Sequence, residues 1–281
     1  FLSSCASYEK PSEKPDIVTT IFPLYDFAKH IGGDKVNVKM LISPGCEVHT
    51  FDPAPSDMTA VINSDLFLYI GGESDVWVDR LLSEVDVNPF PLITTVNALF
   101  EDGEDEYDEH IWTSPENAVI MIGEISERMS EIDSDNAEYY RNNAKKYCEE
   151  IKKVSLKIRN TVKNAKNNYI VVADRFPFKY FTNEYGIEYS AAFGGCATST
   201  DISVKTMARL LKDIKAHNVK CAYFVEMSNK ISANAIEKET GIKLLELHSA
   251  HNVTLKEFES GITYLDIIKA NERALREGIN L

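Results

Sequence analysis

Residues 135–166 read DNAEYYRNNAKKYCEEIKKVSLKIRNTVKNAK. Apolar residues recur at Ala137, Tyr140, Ala144, Tyr147, Ile151, Val154, Ile158 and Val162, in steps of three and four. That spacing sets them on one face of an α-helix, with Lys, Arg, Glu and Asn covering the rest. Neither Gly nor Pro interrupts the run, so a rod of roughly 48 Å is expected at 1.5 Å per residue. A coiled-coil arm would need a companion helix of the same kind, and the chain has no second stretch like this one. Strand and helix patterns of similar extent lie on both sides. The rod is therefore expected to be a strut joining two α/β lobes.

On its N-terminal side, residues 16–22 (DIVTTIF) form a β-rich run, and Pro23 opens a helix that Gly32 and Gly33 end. Residues 35–42 alternate strictly, as a strand does, with Val36, Val38, Met40 and Ile42 on one face. Residues 65–70 (DLFLYI) are nearly continuously apolar, as a buried parallel strand requires. A helix over 74–85 and a strand over 91–95 complete a βαβα order, which implies a parallel sheet flanked by helices. Residues 101–109 carry seven acids in nine positions and are expected to form a solvated loop. Ser114 then caps a helix with Pro115 in its first turn.

Beyond the strut, residues 169–173, 221–226 and 242–247 read as strands. Residues 179–185, 202–217, 229–240 and 255–276 read as helices, the last opened by a Thr254–Glu257 capping box. The expected organisation is a tether over residues 1–15, an α/β lobe over 16–130, the linking helix over 131–167 and a second α/β lobe over 168–281. Each lobe should hold a mostly parallel sheet flanked by helices. The natural binding cleft lies between the carboxyl ends of the two sheets.

The chain has 281 residues and a formal charge of −14. Such a field repels phosphate backbones and attracts cations, which argues against nucleic acid as a partner. No run of 18 apolar residues offers a membrane span. Leu2-Ser3-Ser4-Cys5 has the pattern of a bacterial lipobox, followed by a polar stretch, ASYEKPSEKP. Cys5 is thus expected to carry a lipid that holds the protein on the outer side of a bacterial membrane. The remaining cysteines, Cys46, Cys148, Cys196 and Cys221, show neither CxxC nor zinc-ribbon spacing.

No GxGxxG, P-loop, GxSxG or HExxH signature occurs. What stands out is a set of histidines in loops that follow strands. His49 lies in PGCEVHTFDPAPSD, His110 in DEHIWTSP and His248 in ELHSAHN. Neutral imidazoles converging from separate loops are the usual way to build a transition-metal site. His30 and His217 fall near helix ends, where capping or dipole roles are expected. His251 is close enough to His248 to be a second ligand or a hydrogen-bonding support.

PGCEVHTFDPAPSD, DEHIWTSPENA, FKYFTNEYGI and YLDIIKANERAL together resemble the zinc/manganese solute-binding lipoproteins of bacterial metal ABC importers, over almost the whole chain. The resemblance implies a metal held between the lobes by four side chains from four loops, and delivery of that metal to a membrane permease. It places ligands at His49 and His110. The family's third ligand falls on Arg175, which cannot ligate, and its fourth on His248. The site expected is therefore His49, His110 and His248, with Asp174, Glu47, His251 or a water as the remaining ligand. Arg175 is expected to pair with Asp174 or a nearby Glu.

Zinc is expected over manganese, because imidazole donors favour it. A monomeric, non-enzymatic receptor is the leading expectation. The alternatives are a zinc hydrolase with Glu47 as base, and a surface adhesin or metal buffer that meets no permease.

Overall fold

The computed structural model describes residues 14–83, 85, 87–100, 107–195 and 202–281. The lipobox with Cys5, most of the polar stretch behind it, the acids of 101–106 and Cys196 lie outside the described residues.

The first lobe holds a four-stranded parallel sheet built from β1 (Asp16–Thr19), β2 (Asn37–Met40), β3 (Leu66–Tyr69) and β4 (Pro89–Pro91), in the order β2-β1-β3-β4. Its helices are α1 (Phe22–Gly32), α2 (Pro55–Ile62) and α3 (Val76–Leu82). Register pairs Ile17 with Val38 and with Leu66, and Leu68 with Phe90. Burial explains the two strand patterns seen in the sequence. β3, in the interior of the sheet, is buried at every residue, whereas β2, on the edge, alternates exposed with half-buried positions. At the end of α1, Gly33 takes a positive φ of 55° and donates its amide to Lys29, a stop that an L side chain would strain. Residues 91–95 are not a strand. β4 ends at Pro91, and Leu92–Thr95 winds into a 3₁₀ turn.

α4 (Pro115–Ile132) starts on a Ser114 cap that accepts the Asn117 amide. Asp133 ends it, and after a 3₁₀ turn the strut follows as α5 (Ala137–Asn164). Its 28 residues span about 42 Å. Tyr140, Ala144, Tyr147, Ile151, Val154 and Ile158 form its buried face, as the spacing predicts.

The second lobe repeats the architecture with β5 (Tyr169–Val172), β6 (Glu188–Ala191), β7 (Cys221–Phe224) and β8 (Lys243–Glu246), parallel in the order β6-β5-β7-β8. α6 (Lys179–Tyr185), α7 (Val204–Ala216) and α8 (Ile231–Thr240) flank it. β6 is a strand that the sequence reading missed. The helix expected over 255–276 is two helices, α9 (Leu255–Glu259) and α10 (Tyr264–Ile279), separated at Gly261 with φ of 75°. Each has its own capping box, Thr254 with Glu257 and Thr263 with Asp266.

One hydrophobic cluster runs from Ile17 through the buried face of α5 to Ile279. The Tyr147 hydroxyl extends the joint with polar groups, donating to Asp26 of α1 at 2.6 Å and accepting the Leu265 amide of α10 at 3.2 Å. The strut is part of the core of both lobes.

Candidate metal centre

The loops at the carboxyl ends of β2, β4 and β8 converge. His49 arrives from the loop between β2 and α2, Glu109 and His110 from the segment before α4, and His251 from the loop between β8 and α9. Donor atoms of these four residues all lie within 4.8 Å of one another. Ring centroids stand 6.0 Å apart for His49–His110, 5.0 Å for His49–His251 and 5.2 Å for His110–His251. The four side chains are between 0% and 9% exposed. The three histidines border a cavity of about 190 Å³ between the lobes, which Glu47, Arg175 and Asn252 also line.

Each ring is oriented by a partner. Ser74 donates its hydroxyl to Glu109 Oε1 at 2.5 Å and its amide to Oε2 at 2.8 Å. With its proton so used, the Ser74 oxygen accepts from His49 Nδ1, 3.0 Å away, and His49 keeps Nε2 as its lone-pair nitrogen. His110 Nδ1 lies 2.9 Å from Asp108 Oδ1, which also accepts the His110 amide at 2.8 Å. The carboxylate fixes the tautomer with hydrogen on Nδ1 and the lone pair on Nε2. The indole of Trp112 packs 4.7 Å from the His251 ring and donates to Ser249 O at 2.8 Å, which steadies the turn carrying His251.

Burial favours the neutral imidazole at His251 and His49. Burial, reinforced by the neighbouring His110 and His49, holds His251 well below the usual histidine range. His49 is also lowered, by burial first, against the opposing pull of Glu109. Burial pushes the Asp108 carboxyl up, yet His110 outweighs it and the net shift is downward, so Asp108 stays an anion. Three imidazoles and one carboxylate form a nitrogen-rich donor set, which suits a divalent transition metal.

His49 and His110 come together as the sequence suggests, but His248 does not join them. It follows β8 directly, its backbone is clamped by Asn271, and its Nδ1 accepts the Ala250 amide at 2.9 Å. That nitrogen is occupied and the proton must sit on Nε2, so the neutral ring presents no lone pair to the cavity. Ala250 takes a positive φ of 63°, and the turn it makes delivers His251 instead. From the sequence, His251 stands only as an alternative ligand and Glu109 counts among the solvated acids; both belong to the cluster. Asp108 and Glu109 are buried, at 1% and 2% exposure. Asp174 and Glu47 are not members of the cluster. Arg175 pairs with Glu47 through its side chain, and its amide donates to Asp174 Oδ1 at 2.9 Å.

A family described as ZnuA, zinc-uptake complex component A, periplasmic, matches residues 17–278. The chain belongs to the ZnuA family. It is 28% identical over 293 residues to the high-affinity zinc uptake system protein ZnuA of Bacillus subtilis, covering 99% of this chain and 91% of that protein. It is 27% identical over 293 residues to the zinc-binding lipoprotein AdcA of Streptococcus pneumoniae, covering 99% of this chain. The chain spans 58% of the length of that streptococcal relative. The crystal structure of the Zn(II)-bound ZnuA-like domain of the pneumococcal AdcA superposes with a TM-score of 0.84 at 27% identity, over 96% of this chain and 100% of that one. ZnuA-family members with these descriptions are metal-binding and uptake proteins rather than enzymes, and the paired parallel sheets seen here are of the same type.

Proposed function

We propose that this chain captures a divalent transition metal outside the cytoplasm, zinc in preference to manganese, and hands it to an ABC permease. The observation that carries the reading is the convergence of His49, His110 and His251 with Glu109 in one buried cluster. Tetrahedral zinc with bonds of roughly 2.0–2.2 Å sets its donors about 3.4 Å apart. Donors within 4.8 Å of one another need only a modest contraction to reach that spacing. Glu109 can contribute while Ser74 stays attached, because a carboxylate accepts at more than two lone-pair sites.

Three imidazoles with one oxygen favour zinc, whereas manganese prefers carboxylate and carbonyl oxygens. The names of the relatives, both zinc proteins, point the same way. Anchorage through a lipid on Cys5, a monomeric state and the permease partner belong to the same proposal. The hydrolase alternative loses its base, since Glu47 is held by Arg175. A buffer or adhesin with no permease partner is separated by transport, because only a receptor should restore zinc-limited growth when expressed with a metal permease.

The direct test is elemental analysis of protein purified without added metal, followed by competition calorimetry with zinc and manganese at neutral pH. One zinc per chain with weaker manganese binding is expected. A manganese preference would overturn the zinc assignment, and the lack of any bound divalent metal would overturn the receptor reading.

A further inference from the structure

Among the charged residues lining the cavity, Arg175 and Glu47 form a second layer outside the donors. Arg175 follows β5 in the second lobe, and Glu47 lies in the loop after β2 in the first. The Arg175 Nη1 reaches both Glu47 oxygens, at 3.3 and 3.2 Å. Exposure rises outward across the site. The donor side chains are at most 9% exposed, whereas Arg175 is 20% and Glu47 48% exposed. The pair therefore stands between the donor cluster and solvent, and it joins the two lobes. Glu47 also accepts the His49 amide at 3.4 Å, so the same carboxylate touches the backbone of a donor residue. The 43–48 loop is tied to the second lobe by other bonds as well. Asn252 donates to Ser43 O and Cys46 O, and the Gly45 amide donates to Val253 O. Those bonds fix the loop, and the Arg175–Glu47 pair adds a charged side-chain contact between the lobes at the same cavity.

We propose that the Arg175–Glu47 ion pair is a bar across the metal cavity that sets the rate at which the ion leaves, without entering its coordination. The proposal rests on the metal-receptor reading given above. Charge alone makes a different prediction. Arg175 would repel a bound cation and Glu47 would attract it, so neutralising the two should shift release in opposite directions. A bar makes both substitutions act in the same direction, because either one breaks the same contact.

The experiment loads wild-type protein, Arg175→Gln, Glu47→Gln and the double variant with cobalt(II), then follows release to excess EDTA by stopped-flow absorbance. Faster release by about fivefold in each single variant is expected, a size in keeping with one partly exposed ion pair. The double variant should release no faster than the quicker single one, since the contact is lost only once. The visible cobalt bands should be the same in all four proteins, because the donors are untouched. Release slowed by Arg175→Gln and quickened by Glu47→Gln would overturn the bar in favour of simple charge. Unchanged release in both, or altered cobalt bands in Arg175→Gln, would overturn it too. Failure of the wild-type protein to bind cobalt or zinc would instead bring down the receptor reading, and the bar with it.

Discussion

A single oxygen of Asp108 accepts two hydrogen bonds from His110, one from its amide at 2.8 Å and one from its ring Nδ1 at 2.9 Å. The residue is thus gripped at backbone and side chain by one carboxylate, and its Nε2 is presented as the donor. Asp108→Asn should keep the fold, since Tyr180 binds the main-chain oxygen of Asp108 and not its side chain. It should weaken zinc binding by about 10- to 100-fold, the usual effect of altering a ligand's orienting partner, because Asn keeps an accepting oxygen but loses the carboxylate charge. Isothermal titration with a competing chelator measures this, and wild-type affinity would show that the grip is not needed.

His251→Ala and His248→Ala should separate cleanly. The first removes a member of the donor cluster and should abolish tight binding with little change in folding. The second removes the acceptor of the Ala250 amide inside the turn and should lower the melting temperature while zinc still binds. Equal loss of affinity in both would mean that the turn, and not the ring of His251, is what the metal requires.

Gly72→Ala tests the placement of Glu109. A Cβ at Gly72 would stand 2.3 Å from the Glu109 Cβ and 2.6 Å from its Oε2, so the carboxylate would have to move. Weaker zinc binding is expected, together with a shift in cobalt bands that reports a changed donor set. An unaltered spectrum would take Glu109 out of the coordination.

The pH dependence follows from His251 and His49, both lowered by burial. Zinc needs the neutral rings, and these rings take up protons only below the ordinary histidine value of roughly 6.5. As far as these two are concerned, zinc affinity should hold almost level from pH 7.5 to 6.5 and fall at lower pH. The metal-free protein should lose stability over the same lower range, because the unfolded chain binds protons that the folded one refuses. Affinity and melting curves at half-unit steps check both.

Asp75 should impose the opposite slope. Its buried carboxyl is pushed up to about 7, chiefly by burial, with the Ile70 and Gly71 amides pulling it back. The folded state thus holds a proton that the unfolded chain releases near 3.8, so this group's contribution to stability falls as pH rises from about 4 to 7. Asp75→Asn can still accept both amides and should remove that slope. If wild type and variant show parallel stability–pH curves, the carboxyl is already ionised in the folded protein.

The strut was legible because its period continues for seven turns and Gly and Pro are missing from it, so its buried face could be read residue by residue. β3 was equally plain, since an interior parallel strand must be apolar throughout. β6 was not, because EYSA sits on a sheet edge with one fully buried residue and carries no run. At the site, the residue types were visible but their arrangement was not. His248 and His251 differ only in where the chain turns, and the turn depends on a positive φ at Ala250, a conformation alanine rarely adopts. Glu109 was hidden by its neighbours. In a stretch so rich in acids, nothing in the sequence separates a carboxylate that solvates from one folded inward to Ser74.

The core that α5 shares with both lobes also bears on how the protein can be divided. A lobe cut away from the strut would expose the face of Tyr140, Tyr147, Ile151 and Ile158, all now 6% exposed or less, and would leave Asp26 without the hydroxyl it receives. Neither half should survive as a separate fragment. The chain should melt in one cooperative step despite its two sheets, and co-expressed halves should regain zinc binding only if the strut is intact on one of them.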